Sequence, residues 1–275
     1  MFCLATDAAP GRPNEDFVLA TTDLAIVIDG DGASVDGCAH GVAWYSRQLA
    51  AHTMATLVAE PEIPLAEGLA RGINAVAKLH VYTCDLDSPA APCAAVGILR
   101  IGPETVDALA LSGCIIVVDT DAGPQITCDL AVEELAGAEP ATLAGMVIGS
   151  PDHQAALDRL VSRQTATRNR DGGWWVAAAD PQAAYHALTR SYLRKSVRRA
   201  AAFSDGATRP VDQMGLYDWP EYLDLLDKLG PAGLIDHVRT IEKADPDGEQ
   251  HPRTKAHDDA TAAHAVELNP DAARP

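Results

Sequence analysis

The spacing of apolar residues changes period several times along the chain. Phe17 to Ala20 and Leu24 to Ile28 are short apolar runs on either side of Thr21-Thr22-Asp23, which predicts a β-hairpin. The second run, Leu24-Ala25-Ile26-Val27-Ile28, has no polar position, as expected of a strand buried on both faces. It leads directly into Asp29-Gly30-Asp31-Gly32. A three-and-four spacing then takes over. Val42, Tyr45, Leu49 and Leu57 predict a helix over about 37–58, and Leu65, Leu69, Ile73, Val76 and Leu79 predict another over about 64–82.

Strands return at 93–101, 106–111, 115–119 and 125–128, punctuated by Gly102-Pro103 and Ala122-Gly123-Pro124. Between 130 and 190 the pattern is weaker. It suggests a helix over 154–164, a loop at 169–173, a strand over 174–178 and a short helix from Pro181. Ala200 to Ser204 reads as a strand ending at Asp205-Gly206. Two amphipathic helices, 222–229 and 231–241, flank Gly230-Pro231. A polar loop over 244–257 precedes a last strand from Ala260 to Leu268, and the tail after Asn269 is expected to be disordered. Blocks of strands and blocks of helices do not alternate as βαβ units do. They predict an α+β fold of antiparallel sheets with helices outside, in one domain over 1–268.

A length of 275 residues allows one sizeable core. A formal net charge of -18 argues against binding nucleic acid or anionic membranes through the overall field. No basic, apolar leader opens the chain and no run is long enough to cross a bilayer, so a cytoplasmic protein is expected. The excess of Arg over Lys and the abundance of Ala fit a GC-rich bacterial genome. Six cysteines stand at 3, 38, 84, 93, 114 and 128 without a CxxC pair, so neither a zinc knuckle nor a thioredoxin-like motif is expected. Cys38, Cys93 and Cys114 sit among small or apolar residues, the setting of a buried free thiol.

The candidate chemistry lies in three acidic motifs beside apolar strands: Asp29-Gly30, Asp205-Gly206 and Asp258-Asp259-Ala260-Thr261. Carboxylates that converge repel one another unless a cation neutralises them, and Mg²⁺ or Mn²⁺ suits a site of oxygen donors. A single Asp-Gly more often marks only a turn.

Taken with Asn14-Glu15-Asp16, these motifs fall in the order and spacing seen in the metal-dependent type 2C protein phosphatases, which the chain resembles over about residues 5–268. The resemblance implies two antiparallel sheets flanked by helices, a four-layer sandwich. It implies two Mn²⁺ or Mg²⁺ ions bridged by Asp29, with the Gly30 carbonyl on one ion and Asp205 and Asp258 on the other. Asp259 is the alternative to Asp258. Glu15 and Asp16 would orient water at the metals, and that water would attack phosphoserine or phosphothreonine in a protein substrate. A non-catalytic module that binds a phosphoprotein is the alternative.

The chain departs from the family at three places. Gly11 stands where the family carries a phosphate-binding Arg, and Arg12 follows one residue late. In a strand, such a slip turns the side chain to the other face. Asp31 replaces a His found in some members, and Ser112-Gly113-Cys114 lacks the Asp of the family's Gly-Asp-Ser. Three other features carry two readings each. The basic run Arg190, Arg194, Lys195, Arg198 and Arg199 is either a solvated face or an attractor for a phosphorylated partner. Trp174-Trp175 is either core or binding surface. His257 is either an exposed loop residue or a proton shuttle.

Overall fold

The structure is a computed structural model that describes residues 1–32, 38–136, 143, 146–266 and 268. The expected start of the first helix at Gly37 and the tail after Asn269 lie outside the described residues. Two antiparallel five-stranded sheets stack face to face. One contains, in spatial order, β1 (Phe2–Asp7), β10 (Ala260–Ala265), β9 (Val197–Phe203), β6 (Ile115–Thr120) and β7 (Gly123–Thr127). The other contains β2 (Phe17–Ala20), β3 (Leu24–Asp31), β4 (Cys93–Ile101), β5 (Thr105–Leu111) and β8 (Leu188–Leu193). Helices α1 (Val42–Ala59) and α2 (Leu65–His80) cover the second sheet. Helices α5 (Asp205–Asp212) and α6 (Trp219–Ala244) cover the first. Helices α3 (Ala131–Ala136) and α4 (Pro151–Thr167) belong to the segment between β7 and β8.

This is the four-layer arrangement expected, and the period-two alternation of the strands explains it. In β3, Leu24, Ile26 and Ile28 face the helices, where they pack with Leu49, Leu69 and Ile73. Ala25 and Val27 face the other sheet, against Ile116, Val118, Ala200 and Ala202. In β6 and β9 the other parity, Ile115, Val117, Ala201 and Phe203, packs on Tyr222, Leu226 and Leu234 of α6. The inter-sheet layer is rich in alanine, and the layers under the helices carry the large side chains. Small residues let the two sheets approach, whereas the space under a helix needs bulk to fill it.

Several expectations change. Strand β3 does not stop at Ile28. It continues through Asp29 and Gly30 and keeps register with β4 as far as Asp31 opposite Cys93. Strands β1 and β8 escape the apolar pattern because both are sheet edges with mostly exposed side chains. The stretch 174–178 is not a strand and makes two isolated bridges, Ala177 with Ala94 and Trp174 with Arg168, while Trp174 and Val176 bury against Cys93. Asp205-Gly206 opens a helix, α5, that the sequence reading missed because Pro210 lies inside it. The expected break at Gly230 is present: φ is 67° there, within the otherwise helical 219–244. No described helix is long and apolar enough to cross a membrane.

The two kinds of layer predict opposite tolerances. Ile98→Ala, under the helices, is expected to cost about 2–5 kcal/mol through the cavity it opens. Ala202→Leu, between the sheets, is expected to cost about 1–3 kcal/mol through overpacking. Urea denaturation of both variants checks this, and unchanged midpoints would contradict the layer assignment.

Candidate functional site

The acidic motifs meet at one end of the sandwich because of strand parity. Asp29 has the same parity in β3 as Ala25 and Val27, so its carboxylate enters the gap between the sheets. Strand β9 ends beside it, and the Asp205 N–H lies 3.4 Å from Asp29 Oδ2. Asp16, just before β2, is 5% exposed and accepts a 2.7 Å hydrogen bond from Thr261 Oγ1 on β10. Because that hydroxyl donates to Asp16, Thr6 is left to donate to Thr261 across 2.8 Å. Asn14 Nδ2 in turn donates to Thr6 Oγ1 at 2.8 Å. The Thr of the last motif therefore orients the Asp of the first.

The neighbouring pair Asp258 and Asp259 divides two tasks. Both Asp259 oxygens are engaged by backbone, accepting from Ala9 N–H at 2.7 Å and Glu15 N–H at 2.6 Å. It clamps the loop that carries Glu15 and Asp16. Asp258 is the one whose carboxylate meets cationic side chains at the cleft, Arg209 at 2.8 Å and Lys255 at 3.1 Å. Arg209 is 1% exposed and also contacts Glu242 at 2.9 Å. Glu242 is fully buried and further accepts from Arg239 and meets His257 Nδ1, each at 2.9 Å. His257 is thus tied into this network and is not the freely exposed loop residue expected.

Two adjoining hollows open at this end. The larger, about 470 Å³, is bounded by Asp29, Asp31, Ser112, Trp174, Asp205 and Asp258. The smaller, about 150 Å³, is bounded by Arg12, Glu15, Asp16, Gly30, Lys255 and Asp258 among others. Glu15, Asp16, Asp29, Gly30, Asp205, Asp258 and Asp259 therefore all line these adjoining hollows. Arg12 lies there too. Its segment is a bend, not a strand, so the parity argument that turned it away does not apply. Gly30 is required by packing, since a Cβ there would run into the Glu15 carbonyl and Ser46 Oγ. A Cβ at Gly206 would likewise collide with the Asp259 carbonyl.

The charge is unbalanced. Loss of hydration pushes the Asp29 carboxyl well above its ordinary range, and Asp16, Asp205 and Asp258 push it further. Burial raises Asp16 to about 7, with Asp259 and Asp205 adding to the shift against hydrogen bonds from Thr261 and Ser204. Burial and Asp258 raise Asp205, and burial raises Glu15. Lys255 is shifted upward, because Asp258, Asp205, Asp29 and Asp31 outweigh the opposing effect of its own desolvation. Seven carboxylates line the hollows; with Asp259 engaged by backbone, Glu15, Asp16, Asp29, Asp31, Asp205 and Asp258 face Arg12 and Lys255, since Arg209 is committed to Asp258 and Glu242 and Arg253 to Asp245. Excess buried negative charge and a donor set made only of oxygens fit a hard divalent cation.

The sequence reading missed Arg209, Glu242 and Lys255, and it noted Asp31 only as the residue standing where some family members carry a His. Arg209 stands four residues after Asp205 and so shares its helix face, but the signal needs α5, which the strand reading hid. The basic run does not form one patch. Arg198 and Arg199 pair with Asp119, Arg199 also with Asp224 and Asp227, and Arg194 donates to the Leu268 and Gly102 carbonyls. Trp174 is buried with its indole N–H on the Gln164 carbonyl, while Trp175 stacks on His186 at 3.6 Å between ring centroids.

No family model matches the chain, and no curated protein matches it. Solved structures do. The catalytic domain of the serine/threonine protein phosphatase PstP, in complex with two manganese ions, is 15% identical, with 96% of each chain covered and a TM-score of 0.56. The PPM Ser-Thr phosphatase MsPP from Mycobacterium smegmatis, in complex with cacodylate, is 15% identical, covering 96% of this chain and 97% of its own, with a TM-score of 0.55. The serine/threonine phosphatase Stp1 from Staphylococcus aureus is 15% identical, covering 96% of this chain and 93% of its own, with a TM-score of 0.57. At this identity the likeness establishes the fold, that of the bacterial PPM phosphatases over nearly the whole chain.

The raised carboxyls carry a stability prediction. A carboxyl whose pKa is higher folded than unfolded keeps its proton in the folded state alone between the two values, so the folded state is favoured as pH falls through that window. With chelator present, Asp29→Asn should melt higher than the wild type at roughly pH 8, and the gap should close towards roughly pH 5. Equal melting differences at both pH values would mean that Asp29 carries no uncompensated charge.

Proposed function

We propose that this chain is a divalent-metal-dependent phosphatase acting on phosphoserine and phosphothreonine in proteins. The observation that carries the proposal is the convergence of Asp16, Asp29, Asp205 and Asp258, short of compensating charge, in one cleft of a PPM-type fold. Asp29, Asp205 and Asp258 would hold a pair of Mn²⁺ or Mg²⁺ ions, with the Gly30 carbonyl as a further donor and Glu15 and Asp16 beside them. When bound, such ions make water acidic enough to act at neutral pH and stabilise charge on the transferred phosphoryl group.

The chain's own groups do the positioning. Asp29 is fixed by the β3–β4 ladder, which holds register through Asp31. Asp258 is held by Arg209, itself locked by Glu242, and Asp16 by Thr261. Arg12, an exposed guanidinium on the wall of the smaller hollow, is placed to bind substrate phosphate. The opening beside Ser112, Gly113 and Trp174 leaves room for the peptide that bears it.

One observation favours the second reading, a module that binds a phosphoprotein without turnover. Asp258 already contacts two cations, and Lys255 places an ammonium among the carboxylates. Both would weaken the hold of this corner on a metal ion.

Manganese-dependent hydrolysis of p-nitrophenyl phosphate separates the two. The phosphatase reading expects activity that chelator abolishes and Asp29→Asn eliminates while circular dichroism stays unchanged. A wild type inactive with every divalent ion, and whose partner binding survives Asp29→Asn, supports the module. Hydrolysis that persists in chelator contradicts both.

Arg12→Ala tests the phosphate anchor. Loss of a charge-assisted hydrogen bond of about 1.5–3 kcal/mol corresponds to a fall of roughly 10- to 100-fold in kcat/KM, carried mainly by KM if the contact is equal in ground and transition states. An unchanged KM would remove Arg12 from the site.

A further inference from the structure

Away from the cleft, two cysteines and two histidines converge on one point. Cys38 and His40 lie in the turn before α1, and Gly41 N–H closes that turn on the Cys38 carbonyl at 3.3 Å. His80 is the last residue of α2, and Cys84 follows in a turn closed by its own N–H on the His80 carbonyl at 2.9 Å. The four donor atoms, two Sγ and one nitrogen from each imidazole, all lie within 4.8 Å of one another. Cys38 Sγ is 3.4 Å from His80 Nδ1 and 3.5 Å from His40 Nδ1, and Cys84 Sγ is 3.4 Å from His40 Nδ1. The two sulfurs are 3.0 Å apart.

From these we infer that Cys38, His40, His80 and Cys84 form a structural Cys₂His₂ zinc site. Zn–S and Zn–N bonds of about 2.3 and 2.0–2.1 Å at tetrahedral angles set S–N edges of roughly 3.5 Å and an S–S edge of roughly 3.8 Å. The three sulfur–nitrogen separations match their edge. The sulfurs must open slightly to reach theirs, and they stand well beyond the disulfide length of about 2.05 Å. The donor chemistry is that of zinc and not of the hard cations suited to the carboxylate cleft, with which the four residues share no lining position. The surroundings hold the imidazoles in place. Trp44 stacks on His40 with centroids 4.3 Å apart and tilts against His80 at 5.2 Å, and His80 is 3% exposed.

The site has a structural consequence. It joins the segment that leaves β3 just after Asp29-Gly30-Asp31 to the far end of α2. It would therefore anchor the chain where α1 begins, next to Val42 and Ser46, which pack on Gly30. Two turns far apart in sequence gain most from such a tie, because it removes loop freedom from the unfolded chain.

The test uses the full chain purified under reducing conditions and dialysed against metal-free buffer. Elemental analysis is expected to find one tightly held zinc per chain. Replacement by Co²⁺ is expected to give the visible absorption of tetrahedral cobalt with a sulfur-to-cobalt charge-transfer band. Cys38→Ser/Cys84→Ser should lose both signals, and Asp29→Asn should keep both. Should the double variant fail to fold, His40→Ala, at an exposed position, should weaken zinc retention against a competing chelator by at least tenfold. In the wild type, alkylation of Cys38 and Cys84 should be blocked until zinc is removed. Absence of zinc and of the cobalt band overturns the inference, as does zinc that survives the double variant. A wild-type mass lower by two hydrogens, with both cysteines unreactive until reduced, also overturns it by showing a disulfide.

Discussion

Electrostatic repulsion at one end of the sandwich is the constraint on which the rest of the cleft depends. Two like charges 4 Å apart at an effective dielectric of about 20 repel by about 4 kcal/mol. A folded domain has only about 5–15 kcal/mol of net stability. Asp16, Asp29, Asp205 and Asp258 could not be held together without rigid supports. Strand β3 delivers Asp29 between the sheets, Thr261 holds Asp16, and the buried Arg209–Glu242–Arg239 network holds Asp258 from behind. The backbone also contributes: Asp259 absorbs two N–H groups of the N-terminal loop and brings Glu15 into place.

The packing of the layers serves the same end. Alanines between the sheets let β3 and β9 approach, so that acidic residues at the ends of these two strands face one cleft. Glycines at 30 and 206 remove the side chains that would keep the loops apart. Stability is supplied mainly by the outer layers, where Leu49, Leu69, Ile73, Tyr222 and Leu226 fill the space under the helices. The cleft can therefore tolerate unfavourable charge because the apolar burial that holds the fold lies elsewhere.

The cluster of Cys38, His40, His80 and Cys84 shows the same division of labour. It links two turns rather than two strands, and it uses soft donors where the cleft uses hard ones. It also corrects the expectation that Cys38 is buried in apolar surroundings, although its thiol is in no disulfide. That residue is only partly buried, with three polar partners, whereas Cys93 and Cys114 are buried as expected.

The sequence by itself determined the layout of the core. Continuous apolar runs in β3, β4, β5, β6 and β9 and helical spacing in α1, α2 and α6 are local features of the sequence, so they were legible without a fold. The pairing of Asp29-Gly30, Asp205-Gly206 and Asp258-Asp259 with apolar strands marked the cleft for the same reason. Edge strands β1 and β8 were not legible, because half-exposed strands need no apolar pattern. The helix begun by Asp205 was hidden by Pro210. Only the tertiary structure decided that Asp259 accepts from two backbone N–H groups while Asp258 meets cationic side chains, that Arg12 reaches the cleft, that Arg209 and Lys255 oppose its charge, and that Cys38-x-His40 meets His80-x₃-Cys84. Apart from the Lys255–Asp258 pair, three residues apart, these are contacts between residues tens to hundreds of positions apart. No local periodicity encodes them, since they follow from where the chain returns once the two sheets have stacked.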